Sequence, residues 1–204
     1  MEKQFITINI DTSLLEETKI STEIKKQRGD LHNISHFHRP IANRSNAFWT
    51  GSVGEVATAR YLRECNDSGY PIHTPDDPSE FEEADIVANG HYLDVKTRAA
   101  RYGPHTHYWM FAERASAERD VDYFVFCWYN HINQSVTLLG FLERDVLLQV
   151  AHLFRKGELL DNEWVIPCES YGVRISELET IDILPTLLRE NGRIREATKG
   201  GAVV

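Results

Sequence analysis

The segment ADIVANGHYLDVKTR, residues Ala84–Arg98, combines residue types and spacings that are suited to chemistry. Its Asn89-Gly90 pair is the strongest short-range signal for a two-residue hairpin turn. With that turn, Asp85 faces Asp94 on one side of the sheet, with Cβ atoms about 4.5–5.5 Å apart. Like charges in direct opposition are destabilising, so this register predicts a divalent cation between the carboxylates. Mg²⁺ is typically bound by one or two carboxylates, with water and phosphate as further ligands.

The same hairpin has one charged and one apolar face. Lys96 lies on the face of Asp94, because side chains alternate along a strand, and its ammonium could orient a water molecule or stabilise developing charge. The apolar face is expected to pack on a helix and comprises Ala84, Ile86, Ala88, Leu93 and Val95. The alternative is an ordinary cross-strand ion pair between Glu83 and Lys96, with the aspartates in solvent. The hairpin alone leaves both interpretations open.

A glutamate on the preceding helix favours the metal site. The segment Gly51–Cys65 is predicted to be helical, and Glu55 falls within its apolar arc, near Val56, Ala59 and Leu62. A carboxylate that points towards a core is costly unless it is paired, protonated or bound to a metal ion. The alternative is a glutamate at the rim of the buried face, or one bonded to an arginine.

The order of these residues resembles that of a known nuclease group. Glu55 on a first helix, Asp85, the Asp94-Val95-Lys96 element and the strand DYFVF together resemble the PD-(D/E)XK nuclease superfamily. The segment GSVGEVATARYL is similar to the helix motif of its Holliday-junction resolvase-like branch. Ala84 stands where the nominal proline of the superfamily would be. The likeness covers residues 51–142.

The resemblance implies a fold and a reaction. The implied fold is α/β, a restriction endonuclease-like α/β/α sandwich around a central mixed β-sheet. The implied catalytic residues are Glu55, Asp85, Asp94 and Lys96; Mg²⁺ or Mn²⁺ would be bound by Asp85, Asp94, the backbone carbonyl of Val95 and Glu55. The metal would activate water, Lys96 would position it, and the expected result is a cleaved phosphodiester in DNA. Alternatives are a nuclease-fold module for DNA binding or assembly without catalysis, and a nuclease acting on RNA or branched nucleic acid.

Basic residues on either side of this core are candidates for substrate contact. Arg98 and Arg101 follow the catalytic strand, and Arg39 and Arg44 belong to a preceding basic segment that we interpret as a phosphate-binding arm. Three histidines in that segment could instead be metal ligands, although no matched second pair supports zinc; they are His32, His36 and His38. Aromatic residues after Arg101 suit base stacking or the core equally well, and they include Tyr108, Trp109 and Phe111.

The remaining segments indicate one main domain. Residues 1–45 are predicted to be an N-terminal extension with a short strand, a helix and a basic loop; residues 46–192 form the nuclease-like domain, and residues 193–204 a flexible tail. The nearly continuous apolar run Val121–Asn130 is typical of a strand covered on both faces. Further predicted elements are strands at 70–73, 135–143, 163–167 and 171–176, a helix over 144–157 ended by Gly157, and a capping box at 176–179 before a C-terminal helical segment.

Bulk properties agree with a globular, cytoplasmic protein. The chain has 204 residues and a formal net charge of -9, yet ten residues, Asp76–Asp85, contain six carboxylates between basic flanks. Such a distribution suits a metal site facing a polyanion, and equally a solvated surface. No apolar run is long enough to span a bilayer, no signal peptide is recognisable, and the three cysteines form no CxxC pair. Cleavage of both DNA strands by a chain with one active site would favour a homodimer.

Overall fold

The computed structural model describes residues 4–31, 41–74, 84–160 and 164–190, and only the backbone for residues 28–31 and 41–45. Within these ranges there are five α-helices: α1 Thr12–Leu31, α2 Ile41–Glu64, α3 Arg114–Ala117, α4 Arg144–Val150 and α5 Leu184–Glu190. Two 3-10 turns, Ile175–Glu177 and Ile181–Ile183, precede the last helix.

In the described residues, nine strands form two sheets. The strands are β1 Ile6–Asn9, β2 Ile72–His73, β3 Ile86–Ala88, β4 His91–Ala100, β5 Trp109–Glu113, β6 Tyr123–Asn130, β7 Ser135–Glu143, β8 His152–Phe154 and β9 Ser170–Arg174. The larger sheet has the order β1-β7-β6-β4-β3-β2, and the smaller has the order β5-β9-β8. β4 and β6 are parallel, whereas every other neighbouring pair is antiparallel. The predicted α/β class with a central mixed sheet is therefore confirmed.

The larger sheet has a hydrophobic cluster on each face, and β6 contributes to both. Val125 and Cys127 point to the side of α1 and α2, while Phe124 and Phe126 point to the smaller sheet and the short helices. All eight residues of β6 are buried. This confirms a strand covered on both faces, as its continuous apolar sequence predicts.

The contact between α2 and β4 is unusually close. A Cβ atom on Gly54 would lie 1.9 Å from Oγ1 of Thr97 in β4. Only glycine allows the helix backbone to approach the strand this closely. The approach fixes the helix position next to the Glu55 side chain, and so positions that residue relative to the hairpin of β3 and β4.

The N-terminal residues are part of the same sheet and core. β1 pairs with β7 at the edge of the larger sheet, and α1 packs against α2 with Leu14 fully buried. The predicted short strand and helix of residues 1–45 are confirmed. Residues 32–40 of the predicted basic loop lie outside the described residues. The loop prediction is wrong for residues 41–45, because they belong to α2, Ile41–Glu64, which covers ten residues ahead of the predicted helix start. Residues 41–46 are rich in Asn and Ser, which favour turns and loops when the sequence is taken alone.

Two predictions for the C-terminal third are wrong. The helix predicted over 144–157 ends at Val150, and β8 follows it, because Phe154 is buried against the aromatic residues of β5. The strand predicted over 163–167 is reduced, in its described part, to a single bridge between Val165 and Leu159. The predicted strand at 171–176 corresponds to β9. The tail, 193–204, lies outside the described residues, and in the described part no helix is long and apolar enough to cross a membrane.

Candidate functional site

The hairpin of β3 and β4 has the register that the sequence predicts next to its turn. Asn89 and Gly90 both have positive φ, 50° and 78°, as a type I′ turn requires. The paired residues are Ala88 with His91, Val87 with Tyr92 and Ile86 with Leu93.

The predicted pair of Asp85 with Asp94 does not form as a continuation of this ladder. The ladder ends at Ile86, and the backbone N–H of Asp85 donates to the carbonyl of Leu93 at 2.9 Å. Two successive residues therefore face Leu93, an irregularity of the kind found in β-bulges. The alternation of faces breaks at this point, and Ala84 belongs to the cluster opposite to that of Ile86.

The irregularity directs the Asp85 side chain towards the backbone of β4. Its Oδ2 accepts a hydrogen bond from the N–H of Val95 at 2.8 Å. Beyond Leu93, no described strand pairs with β4 on this side. The N–H and C=O of one strand residue point the same way, so the Val95 carbonyl also faces the side of Asp85.

Asp94 is fully buried and lies between two cations. Nζ of Lys96 is 2.5 Å from its Oδ1, and Nη2 of Arg119 is 2.6 Å from its Oδ2. Both cations also approach the Ser116 hydroxyl of α3, at 3.2 and 3.1 Å. Burial and the negative charge of Asp85 both raise the pKa of Asp94. Together they outweigh Lys96 and Arg119, whose positive charges lower it.

Glu55 is 5% exposed and forms an ion pair with Lys25 of α1. The buried position among Val56, Ala59 and Leu62 confirms the predicted apolar arc. Burial raises the pKa of Glu55 to about 7, and Asp85 contributes to the rise, while Lys25 acts against it.

Lys25 connects Glu55 to the hairpin. Its Nζ lies 3.7 Å from Oδ1 of Asp85, in addition to its contact with Glu55. Burial alone would lower the pKa of Lys25, but the two carboxylates outweigh it and the net shift is upwards. For Asp85, burial acts to raise the pKa, yet the charges of Lys25 and Lys96 and the Val95 N–H lower it overall.

The four predicted catalytic residues thus belong to one electrostatically linked cluster. Among the described residues it contains three carboxylates and three cations: Glu55, Asp85, Asp94, Lys25, Lys96 and Arg119. Sequence reasoning missed Lys25 and Arg119 as members. Neither has a local signal, since they come from α1 and the turn after α3, and only the tertiary structure brings them to the carboxylates.

The donors fit a divalent metal ion with few protein ligands. The buried Oδ1 of Asp94 contacts the ammonium of Lys96. Within the described part of the chain, however, it accepts no hydrogen bond of normal geometry. Carboxylate and carbonyl oxygens are the ligands that Mg²⁺ prefers, and one or two carboxylates suffice. Among the described residues no three Asp, Glu, His or Cys side chains are grouped closely enough to hold a metal by themselves. Asp85, Asp94 and the Val95 carbonyl are therefore the candidate ligands, and Glu55 is engaged by Lys25.

The predicted substrate-contact arginines lie in different environments. Arg98 is half-buried, donates to the carbonyl of Trp109 at 3.1 Å and lies over the Trp128 ring at 5.2 Å. Burial lowers its pKa. Arg101 is exposed after the end of β4. Arg39 lies outside the described residues, and for Arg44 only its backbone position in α2 is described.

The other singled-out residues that the structure describes take no part in the cluster. The three histidines His32, His36 and His38 lie outside the described residues. Tyr108 is half-buried and stacks on Trp128 with ring centroids 5.6 Å apart, which favours the core interpretation for this aromatic. His105 and His107 are exposed and pack against its ring.

Comparisons with known proteins give no match. No family model, no curated protein and no solved structure matches this chain.

Proposed function

We propose that this chain is a metal-dependent nuclease that hydrolyses phosphodiester bonds, with DNA as the expected substrate. One observation carries the proposal: Glu55, Asp85, Asp94 and Lys96, which lie on α2 and on both arms of one hairpin, are linked through ion pairs and backbone contacts in one cluster. Buried charges are costly unless they are paired with a cation or bound to a metal ion, so a cluster of three carboxylates favours a site that holds cations.

The hairpin residues of the cluster each have a place in the proposed chemistry. Asp85, Asp94 and the Val95 carbonyl would hold Mg²⁺ or Mn²⁺, which, when bound, supplies an activated water and neutralises charge on the phosphate. Lys96 lies beside Asp94 and would orient that water or contact the phosphate. Arg98, Arg101, Arg39 and Arg44 are the proposed substrate contacts.

The finer fold assignment is also a proposal. We infer a restriction endonuclease-like arrangement because a helix that bears a glutamate covers one face of a mixed sheet, and a hairpin of that sheet bears the Asp-x-Lys element. The opposite face is covered by the three-stranded sheet and short helices rather than by long helices. A homodimer remains the expected assembly for double-strand cleavage.

The test is cleavage by matched variants. Supercoiled plasmid, single-stranded DNA, RNA and a four-way junction are incubated with protein and Mg²⁺ or Mn²⁺. We expect Asp94→Asn and Lys96→Ala to lose roughly a hundredfold or more of the activity. The controls are Asp145→Asn, whose side chain is 77% exposed on α4, and the exposed Lys156→Ala; both should retain activity. Circular dichroism verifies that each variant is folded.

Activity that persists unchanged in Asp94→Asn and Lys96→Ala would refute the assignment and indicate a contaminant. Cleavage of RNA or of the junction in preference to plasmid would keep the chemistry and change the substrate.

A second candidate function is nucleic-acid binding or assembly without catalysis. The observation that favours it is charge balance: Lys25, Lys96 and Arg119 already neutralise the three carboxylates. Such a cluster would be structural and would need no metal ion. Calorimetry separates the two candidates, since a catalytic site must bind Mn²⁺ and lose that binding in Asp94→Ala, whereas a binding module would retain DNA affinity without metal.

A further inference from the structure

Lys25 reaches the carboxylate cluster because it continues the buried stripe of α1. Leu14, Thr18 and Thr22 are buried along that helix at successive intervals of four residues. Lys25 follows three residues later, which places it on the same face. Both threonine hydroxyls donate to the carbonyl one turn earlier, at 2.7 Å, so these two buried hydroxyls are satisfied within α1.

The surroundings of Lys25 leave room for its ammonium between two helices and the hairpin. Glycine occupies position 51 of α2, where a Cβ atom would lie 3.6 Å from both Nζ of Lys25 and Oε1 of Glu55. The Lys25 side chain is 23% exposed. Its charge is therefore largely removed from water and directed at Glu55 and Asp85.

A cleft connects this position with solvent. The cavity has a volume of about 180 Å³ and lies between α1 and α2, with Lys25, Glu55 and Asp85 among its lining residues. Apolar side chains, including Ile20 and Ile24, form part of its wall. A small ion can thus reach the carboxylates that Lys25 contacts.

We propose that Lys25, which pairs with Glu55, is a built-in counter-ion that competes with a divalent metal ion for Asp85. In the metal-free protein its ammonium holds these two carboxylates. A divalent cation bound at Asp85 would stand next to this positive charge, and the repulsion must be relieved by movement of Lys25 away from the carboxylates. Lys25 is then a positioning residue that sets the metal affinity of the site. This inference rests on the metal site of the proposed function.

The neighbouring Lys26 provides a matched control. It lies on the same helix, is 40% exposed and pairs with Glu23 at 3.5 Å. Replacement of either lysine removes one positive charge from α1. Only the loss at Lys25 removes a charge that touches the cluster.

The test is Mn²⁺ titration by isothermal calorimetry of the full chain. We expect Lys25→Met and Lys25→Gln to bind Mn²⁺ about tenfold more tightly than the wild type, since the competing cation is gone. Lys26→Met should match the wild type within about twofold. Lys25→Arg, which keeps the charge, should not bind more tightly. In EDTA, the Tm of Lys25→Met should fall, and Mn²⁺ should raise it by more than it raises the wild-type Tm.

The outcomes separate this inference from the proposed function. One outcome would refute the proposed role of Lys25 and leave the proposed metal site intact. In it, Asp94→Ala loses Mn²⁺ binding, while Lys25→Met and Lys25→Gln bind Mn²⁺ no more tightly than the wild type. Absence of Mn²⁺ binding from the wild type and from both Lys25 variants would overturn both. Should the variants unfold without metal, refolding upon Mn²⁺ addition supports the proposal, and failure to refold contradicts it.

Discussion

Gly54 is the position where one added carbon should have a large effect on stability. In Gly54→Ala the new Cβ would lie 1.9 Å from Oγ1, 3.0 Å from Cβ and 3.2 Å from Cγ2 of Thr97. An ordinary contact begins at 3.4 Å, so no rotation of the threonine relieves all three contacts. The β-branched side chain is also stiff, and α2 must therefore move away from β4.

The magnitude follows from two opposing terms. Overpacking of a core costs up to about 3 kcal/mol, while replacing glycine by alanine inside a helix gains about 1 kcal/mol. We expect the free energy of unfolding to fall by about 2 kcal/mol, which corresponds to a Tm decrease of about 4–8 °C for a chain of this size.

Gly51→Ala is the matched control, one turn earlier on the same helix. Its Cβ would meet Glu55 and Lys25 at 3.6 Å, an ordinary contact. It should therefore gain up to about 1 kcal/mol from helix propensity. Addition of Thr97→Ala to Gly54→Ala should recover part of the loss, because it removes the two contacts to Oγ1 and Cγ2.

The assay is urea unfolding followed by circular dichroism and tryptophan fluorescence. If Gly54→Ala proved as stable as Gly51→Ala, the close approach of α2 to β4 would be incorrect. A loss that Thr97→Ala does not reduce would assign the effect to another contact.

Three further predictions concern buried positions in β6 and β7. Burial raises the pKa of the Cys127 thiol to about 12. At pH 8 a thiol reagent should therefore label the partly exposed Cys65 and Cys168 in the folded protein, and should label Cys127 only in denaturant. Labelling of all three cysteines without denaturant would contradict this prediction. The folded state retains the Cys127 proton at pH values above 9.0, the usual pKa of a thiol. The contribution of this thiol to the free energy of unfolding should therefore decline as the pH rises from 9 towards 12, which pH-dependent urea unfolding measures. Gly140 has a φ of 146°, and a Cβ atom there would lie 2.2 Å from the carbonyl oxygen of Glu179. Gly140→Ala should therefore lower the free energy of unfolding by about 3 kcal/mol or more. A Tm within about 2 °C of the wild-type Tm would contradict this and show that the backbone adapts.

The hairpin and the helix face could be predicted from sequence because their signals are local. The Asn89-Gly90 pair specifies a turn through its backbone conformation, and that turn fixes the register up to Ile86 and Leu93. The 3.6-residue period places Glu55 on the buried face of α2, and the two-residue period places Asp94 beside Lys96. None of these conclusions required knowledge of a distant segment.

Other features could not be read from sequence because they depend on contacts between distant segments. The ladder irregularity at Asp85 turns that carboxylate to the Val95 N–H, and no local pattern announces it. The helix predicted over 144–157 becomes a shorter helix and a strand, since burial of Phe154 against β5 outweighs local helix propensity.

The sequence by itself therefore determined which acids and which lysine share the hairpin and its adjoining helix. Only the tertiary structure decided which cations neutralise those acids. Lys25 is 30 residues from its partner Glu55, and Arg119 is 25 residues from its partner Asp94. An ion pair between residues so far apart leaves no periodic pattern in the sequence. Such pairs form because packing of α1 on α2, and of the turn after α3 beside β4, removes the carboxylates from water and makes a neighbouring cation necessary.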